Sequence, residues 1–385
     1  MLSKAAGMHM NRFEVKGMPT ENLVSRITEA YGIDKYSKLL KQISGDDLDV
    51  RINSLSVLCD EFHNAFCIDG YTREDVINIL TQMITDPDYI TRVKVTEALS
   101  LASNDACGSR AIIEYGDEYI PMIIQGANDP SEIVRGSIYI TLVNLTKTME
   151  GLELCVKYNI TKTFVTALGK EIDSLLPILL KGIHNIVRNE IGLDQILNNY
   201  GLNICIELIN KSITNLEFGN IEPYSIYEAE ILSESAKTLG FICFDGKAKQ
   251  QAIELNIIKR ILDLFLLIKK INNHKDVIDM IIPSPTKASL TIILMALTST
   301  NEGKKQISKI EFGIDSIIIG LYDDNRVIIL NTLKIISNIS VFPPNRAIIN
   351  SDSTCIVKLR KLSKSDDIFI AKHATIALNA ASWNP

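Results

Sequence analysis

A chain of 385 residues is long enough for one to three domains and a sizeable buried core. A net charge of −6 and a pI near 5.5 argue against a protein built to bind nucleic acid or an anionic membrane. Aromatics at only 6% leave burial to Ile, Leu and Val, which suits stacked helices better than an aromatic-rich sandwich.

Residues 1–22 carry no hydrophobic period and predict an extended tail. They hold no apolar run of signal-peptide length, and no stretch of the chain is long and apolar enough to cross a bilayer. A cytosolic or cytosol-continuous compartment is therefore expected. From Glu21 the spacing of Leu23, Ile27 and Tyr31 predicts a helix, with Gly32 as its stop. A second helix is predicted over Lys35–Ser44.

A repeated sentence follows. DPDYITRVKVTEAL from Asp86 returns as DPSEIVRGSIYITL from Asp129. An earlier copy is DDLDVRINSLSVL from Asp46, and a late one is DDIFIAKHATIAL from Asp366. Aligned on Arg51, Arg92 and Arg135, the copies lie 41 and 43 residues apart. A period of roughly 40–47 residues marks armadillo and HEAT repeats, whose units cannot bury their apolar faces alone and must stack.

After each main helix comes a link containing glycine: Gly108, Gly151, Gly192, Gly246 or Gly303. The expectation is that these glycines make a sharp turn between helices, and that a later Gly or Asn takes a left-handed cap. This link resembles the armadillo form more than the HEAT form. Residues 23–385 thus predict an all-α armadillo/HEAT-type α-solenoid superhelix of about eight repeats. Two long steps place insertions at 211–227 and 269–285, where loops on one face of a solenoid are expected to meet partners. Phe218, Tyr224 and Tyr227 in the first, and Asn273 and His274 in the second, are candidate partner-binding residues.

Candidate chemistry is sparse. The five histidines are isolated, the seven cysteines are scattered singly with no C-x-x-C pair, and no metal site is expected. Cys59 and Cys243 sit in apolar helical pattern, which predicts buried, inert thiols. No phosphate-binding glycine loop and no GxSxG is present, so neither a cofactor, a small-molecule substrate nor catalysis is expected. Asp46–Asp47 and Asp366–Asp367 suit helix capping better than paired-acid chemistry. The repeat arginines predict a ladder in which each reaches an acid of the neighbouring unit. Lys247, Lys249, Lys259 and Arg260, like Lys304, Lys305 and Lys309, read as solvated helix faces without the interleaved aromatics of nucleic-acid binding.

The main-helix groove is the remaining place for function. An asparagine near the end of each main helix can clamp an extended peptide backbone; here Asn144 and Asn338 occupy that slot, with Asn185 a further candidate. The accompanying tryptophan slots hold Ser56, Glu97, Ile140 and Lys334, which argues against a receptor groove for basic peptides.

AYGIDKYSKLLKQI (30–43) and VRINSLSVLCDEFH (50–63) resemble the start of the radial spoke head 14 homologues, armadillo proteins of motile cilia. TRVKVTEALSLASNDACGSRAIIEYG (91–116), DPSEIVRGSIYITLVNL (129–145), EGKKQI (302–307) and ASWNP (381–385) continue the likeness. The resemblance implies a non-catalytic scaffold in the stalk of the axonemal radial spoke, with other radial spoke proteins as partners. It carries no catalytic residue over. Two other readings compete. A cytosolic adaptor predicts a groove with repeated Asn and Trp, or a strongly basic groove, and the sequence shows neither; a phosphatase-type HEAT scaffold predicts two-helix units without the glycine link.

Overall fold

The computed structural model describes residues 32, 34–217, 226–271 and 282–383. The predicted tail over 1–22 and helix over 23–31 lie outside them, as do Phe218, Tyr224, Asn273 and His274. All regular structure among the described residues is helical.

The chain forms two compact units, residues 1–144 and 145–385. The first contains α1 (Asp34–Ile43), α2 (Leu48–Glu61), α3 (Ala65–Thr72), α4 (Val76–Gln82), α5 (Tyr89–Asn104), α6 (Ala106–Glu114), α7 (Gly116–Gly126) and α8 (Glu132–Leu145), the last ending at the boundary. The second opens with α9 (Met149–Lys157), α10 (Ile160–Leu168), α11 (Leu176–Ile186), α12 (Glu190–Asn198), α13 (Gly201–Glu217) and α14 (Ile226–Ile242). It continues with α15 (Gly246–Glu254), α16 (Ile257–Ile271), α17 (Ser284–Thr298), α18 (Asn301–Ile307), α19 (Gly313–Ile319) and α20 (Arg326–Ser340). It closes with α21 (Pro343–Ser351), α22 (Ser353–Leu362) and α23 (Ile368–Ser382).

The rhythm is constant: two flanking helices, then a main helix. Eight main helices occur among the described residues, namely α2, α5, α8, α11, α14, α17, α20 and α23. Seven full triplets follow the opening pair α1–α2. In the first unit α2 packs on α5, and in the second α11, α14, α17, α20 and α23 pack side by side in that order. The apolar stripe of each main helix supplies the shared core: Leu179, Leu180, Ile183 and Ile186 of α11 have no exposed surface. Burying each such side chain contributes about 1.5–3 kcal/mol, and only the neighbouring helices make that burial available.

The capping expectation holds at Asp47 and Asp367. The Asp47 carboxylate accepts the Val50 N–H at 3.2 Å, and Asp367 accepts from Phe369 and Ile370 at 2.9 and 3.2 Å. The Asp-Pro turns add a second duty. One oxygen of Asp86 accepts the Asp88 N–H at 2.8 Å, and one of Asp129 accepts the Ser131 N–H at 2.8 Å, leaving the other oxygen of each free for the preceding repeat.

The link glycines work differently from the sequence expectation. Gly108, Gly151, Gly192 and Gly303 are the third residue of α6, α9, α12 and α18, and none has a positive φ. A Cβ on Gly108 would stand 2.2 Å from the Ala102 carbonyl oxygen, and one on Gly303 equally close to that of Leu297. The requirement is close approach to the preceding main helix. Thr148, Asn189 and Thr300 then donate no backbone turn; their side-chain oxygens accept the N–H of Gly151, Gly192 and Gly303. Gly246 is out of register. It opens α15 with open space around it, and the buried Ala248 fills the third position.

Left-handed residues do recur at the next joint. Asn159 and Asn256 carry φ of 56° and 58°, as expected. In two other repeats the burden falls on Tyr200 (64°) and Phe312 (56°), one residue before Gly201 and Gly313. Gly32 also takes a positive φ, 73°.

The insertions are shorter than expected. Residues 211–217 continue α13, with Ser212 and Ile213 buried, and Tyr227 already belongs to α14. Residues 269–271 complete α16, while Ser284 and Pro285 open α17, where a proline without N–H fits the first turn.

Candidate partner-binding face

The arginine ladder is a matter of structure. Arg51 Nη1 lies 3.3 Å from Asp86 Oδ2, and Arg92 Nε 2.7 Å from Asp129 Oδ2. Each guanidinium also bonds its own repeat: Arg51 donates to the Gly45 carbonyl at 2.7 Å, and Arg92 to the Asp86 carbonyl at 3.0 Å. In the second unit Arg326 makes a two-pronged contact with Asp367, holding that carboxyl down at about 2. These groups are occupied in joining repeats, which removes them as phosphate ligands.

Residues of the 30–43 and 50–63 stretches form a cluster with Tyr71 in the first unit. Glu61 pairs with Lys35 at 2.7 Å and accepts from the Tyr71 hydroxyl at 2.7 Å. Tyr36 and Phe62 both pack edge-on against Tyr71, with centroids 4.6 and 5.8 Å away. Gly70 lets the Tyr36 ring approach, since a Cβ there would meet it at 2.3 Å.

The three candidate asparagines all reach back about 40 residues along the chain. Asn144 Nδ2 donates to Ser103 Oγ at 3.1 Å, Asn185 to Thr146 Oγ1 at 3.0 Å, and Asn338 to Thr298 Oγ1 at 3.4 Å. Asn331, which sequence reasoning passed over, makes the same link to Thr291 at 3.0 Å. Asn144 Nδ2 also donates to the Ser100 carbonyl at 3.4 Å, and both Asn144 and Asn331 are buried. Asn185 and Asn338 stand on α11 and α20, with α14 and α17 between them. Tyr227 is exposed at the start of α14.

The same links fix the register of the outward face of the main helices. On α11 the spacing i, i+4, i+7 brings Lys181, Asn185 and Arg188 onto one side; on α14 it brings Lys237, Phe241 and Phe244. On α20 it brings Lys334, Asn338 and Val341, and on α23 Ile376, Ala380 and Trp383. His184 joins the first two sets, its ring 4.6 Å from Phe241 in a T-shaped contact, and Phe244 lies 6.2 Å beyond. At the far end Arg346 lies over the Trp383 ring at 4.8 Å. His184 and His373 both feel the field. Burial first, then Lys237 and Arg188, push His184 below its ordinary pKa; burial, then Lys334 and Lys372, do so for His373.

Cys59, Cys155, Cys205, Cys243 and Cys355 are buried, and burial pushes each thiol up to about 12. They are inert at neutral pH. Among the described residues no His, Cys, Asp and Glu group of three could hold a metal ion, and no helix is long and apolar enough to cross a membrane. A cavity of about 670 Å³ lies in the second unit, walled by Phe265, Leu294, Ile317 and Ile328 and rimmed by Asp323 and Asn325.

No protein-family model matches the chain. Among solved structures, an engineered protein is similar over 91% of this chain and 79% of its own, at 15% identity and TM-score 0.74. The SYS-1/POP-1 complex supplies a match over 91% and 64%, at 14% identity and TM-score 0.68. A designed armadillo repeat protein bound to the peptide (KR)4 matches over 68% and 98%, at 15% identity and TM-score 0.54. The fold is therefore an armadillo-type α-solenoid.

Proposed function

We propose that this chain is a non-catalytic scaffold that holds protein partners on the exposed face of its main helices, in the stalk of the axonemal radial spoke. The observation that carries the scaffold reading is the outward face of the second unit. There Phe241, Phe244 and Trp383 are 43%, 56% and 56% exposed along one run of side-by-side helices. Exposed aromatics are costly in water and are the residue type that anchors protein contacts. Armadillo-type neighbours of known structure, one of them bound to a peptide, support the same reading.

The spoke assignment rests on the sequence resemblance to radial spoke head 14 homologues. Of the non-periodic residues quoted for it, AYG (30–32) and LCDEFH (58–63), Glu61 and Phe62 belong to the cluster around Tyr71. Other radial spoke proteins are the partners this reading names, and the motile cilium is the place. The test is to express the tagged chain in ciliated cells, isolate axonemes, and extract them with detergent and then high salt. Retention through detergent and co-extraction with spoke subunits supports the reading. Recovery in the detergent-soluble fraction overturns it, leaving a scaffold outside the axoneme.

A further inference from the structure

We propose that a pocket among the flanking helices of the first unit takes a primary alkylammonium group. The pocket goes beyond the scaffold reading and does not depend on it. α3 packs on α6 and α4 on α7, and a cavity of about 480 Å³ opens where the joint between α3 and α4 meets the joint between α6 and α7. No residue of a main helix lines it, so it is separate from the outward face of those helices.

Three carboxylates stand around it: Asp75 just before α4, Glu114 at the end of α6 and Glu118 in the first turn of α7. Glu114 and Glu118 form no ion pair among the described residues. Asp75 accepts the Asn78 amide at 3.1 Å, which leaves it further lone pairs. The one cation in the wall, Arg73, is turned to Asp69 of α3, with Nη2 2.7 Å from Oδ2. Stacking does not demand this charge. Six residues after the link glycine, where Glu114 follows Gly108, other repeats carry Lys157 after Gly151 and Lys309 after Gly303.

Tyr119 supplies what a bare cluster of acids lacks. It lines the pocket and is only 4% exposed, and its hydroxyl has no hydrogen-bond partner among the described residues. Burial first, then the charges of Asp75 and Glu118, push its pKa up, which sets the hydroxyl against the acidic wall and keeps it protonated. A phenol so buried is normally paired, and the pocket is the side from which a donor can reach it. The Tyr115 ring, 55% exposed, stands 5.8 Å from the Tyr119 ring and offers a face to a cation and its methylene stem. Among the described residues no three acids, histidines or cysteines could hold a metal ion, so a small inorganic cation does not match this spacing. An ammonium directs three N–H donors to different walls, whereas a guanidinium confines its donors to one plane. The alkylammonium belongs either to a lysine side chain of a protein partner or to a free polyamine.

The test is ligand-detected saturation-transfer NMR with the full chain and four probes: N-acetyl-lysine methylamide, its arginine counterpart, its Nε-acetylated counterpart and spermidine. The lysine probe and spermidine are expected to bind about fivefold or more tighter than the arginine and acetylated probes, and the tighter of the two names the source. Combining Glu114→Gln and Glu118→Gln should weaken both by about fivefold or more. Tyr119→Phe should weaken them by about threefold, the loss of one hydrogen bond. Combining Glu302→Gln and Glu311→Gln, an equal change of charge in the second unit, should leave binding as it is. Circular dichroism and melting of each variant verify folding. No binding of either amine, equal binding of the arginine or acetylated probe, indifference to either pocket change in a folded variant, or an equal loss in the second-unit variant each overturns the proposal. Axonemal retention of the unaltered chain reports on the scaffold reading separately.

Discussion

Gly108 and Gly246 look interchangeable in the sequence, each opening a link after a main helix, but their surroundings are opposite. A methyl group on Gly108 meets the Ala102 carbonyl at 2.2 Å, a backbone atom that moves only with the end of α5. Gly246 has nothing within 4 Å of the same point. Gly108→Ala is therefore expected to destabilise the chain by about 1–3 kcal/mol, the cost of overpacking. Gly246→Ala should be neutral or stabilise by up to about 1 kcal/mol through lower unfolded-state entropy. Urea unfolding monitored by circular dichroism separates the two; equal midpoints would show that helix contact does not select the glycine. The sequence revealed that glycine recurs, but the reason lies in a carbonyl six residues earlier, which spacing alone does not bring into view. Tyr200 and Phe312 make the same point, since their left-handed backbone sits one residue before the glycines that drew attention.

Between elements, joining the repeats falls to a few polar pairs laid over the apolar core. Arg92 is mostly buried against Asp129 while bonding its own Asp-Pro turn, so Arg92→Glu places two carboxylates together at a joint between α5 and the turn before α8. A loss of about 3 kcal/mol or more is expected, the range for breaking a buried pair. An unchanged unfolding midpoint in urea would contradict the ladder. The Arg326–Asp367 pair is open to solvent and reports through pH instead. Chiefly because of its hydrogen bonds from Arg326, the folded Asp367 carboxyl titrates at about 2, below an unfolded aspartate near 4. Its contribution is complete above about pH 4 and is lost as pH falls towards 2. Asp367→Asn keeps a capping oxygen but removes the titration, so the stability difference between parent and variant should shrink across that window. A difference constant from pH 6 to 2 would show that the pair is not coupled to folding. The ladder was legible because Asp-Pro and Arg recur together. The asparagine links were not, because an amide shows no preference in sequence between a peptide and a hydroxyl 40 residues back.

For the whole molecule, the repeat architecture was readable from the chain, while the register of the outward face was legible only in part, Lys334 falling in its repeat slot and Lys181 and Lys237 outside theirs. Following the hydrophobic register along the sequence places buried Ile183 and Leu239 where Lys181 and Lys237 stand. The signal that recovers the register is the return from Asn185 to Thr146 and from Asn338 to Thr298, together with the i, i+4, i+7 spacing of cations and aromatics. The expected partner loops at 211–227 and 269–285 shrink correspondingly, their flanks being helix. Function is thus drawn towards the helices.

The most direct measurement is axonemal retention of a variant that alters only that face. In ciliated cells lacking their own copy, the tagged chain and its Lys181→Glu, Arg188→Glu, Lys334→Glu form would be compared at equal expression, with the melting temperature of each purified protein verifying its fold. The account predicts that the parent chain stays with detergent-extracted axonemes and that the folded variant washes away. Retention of the variant at the parental level, or loss of both, would contradict it.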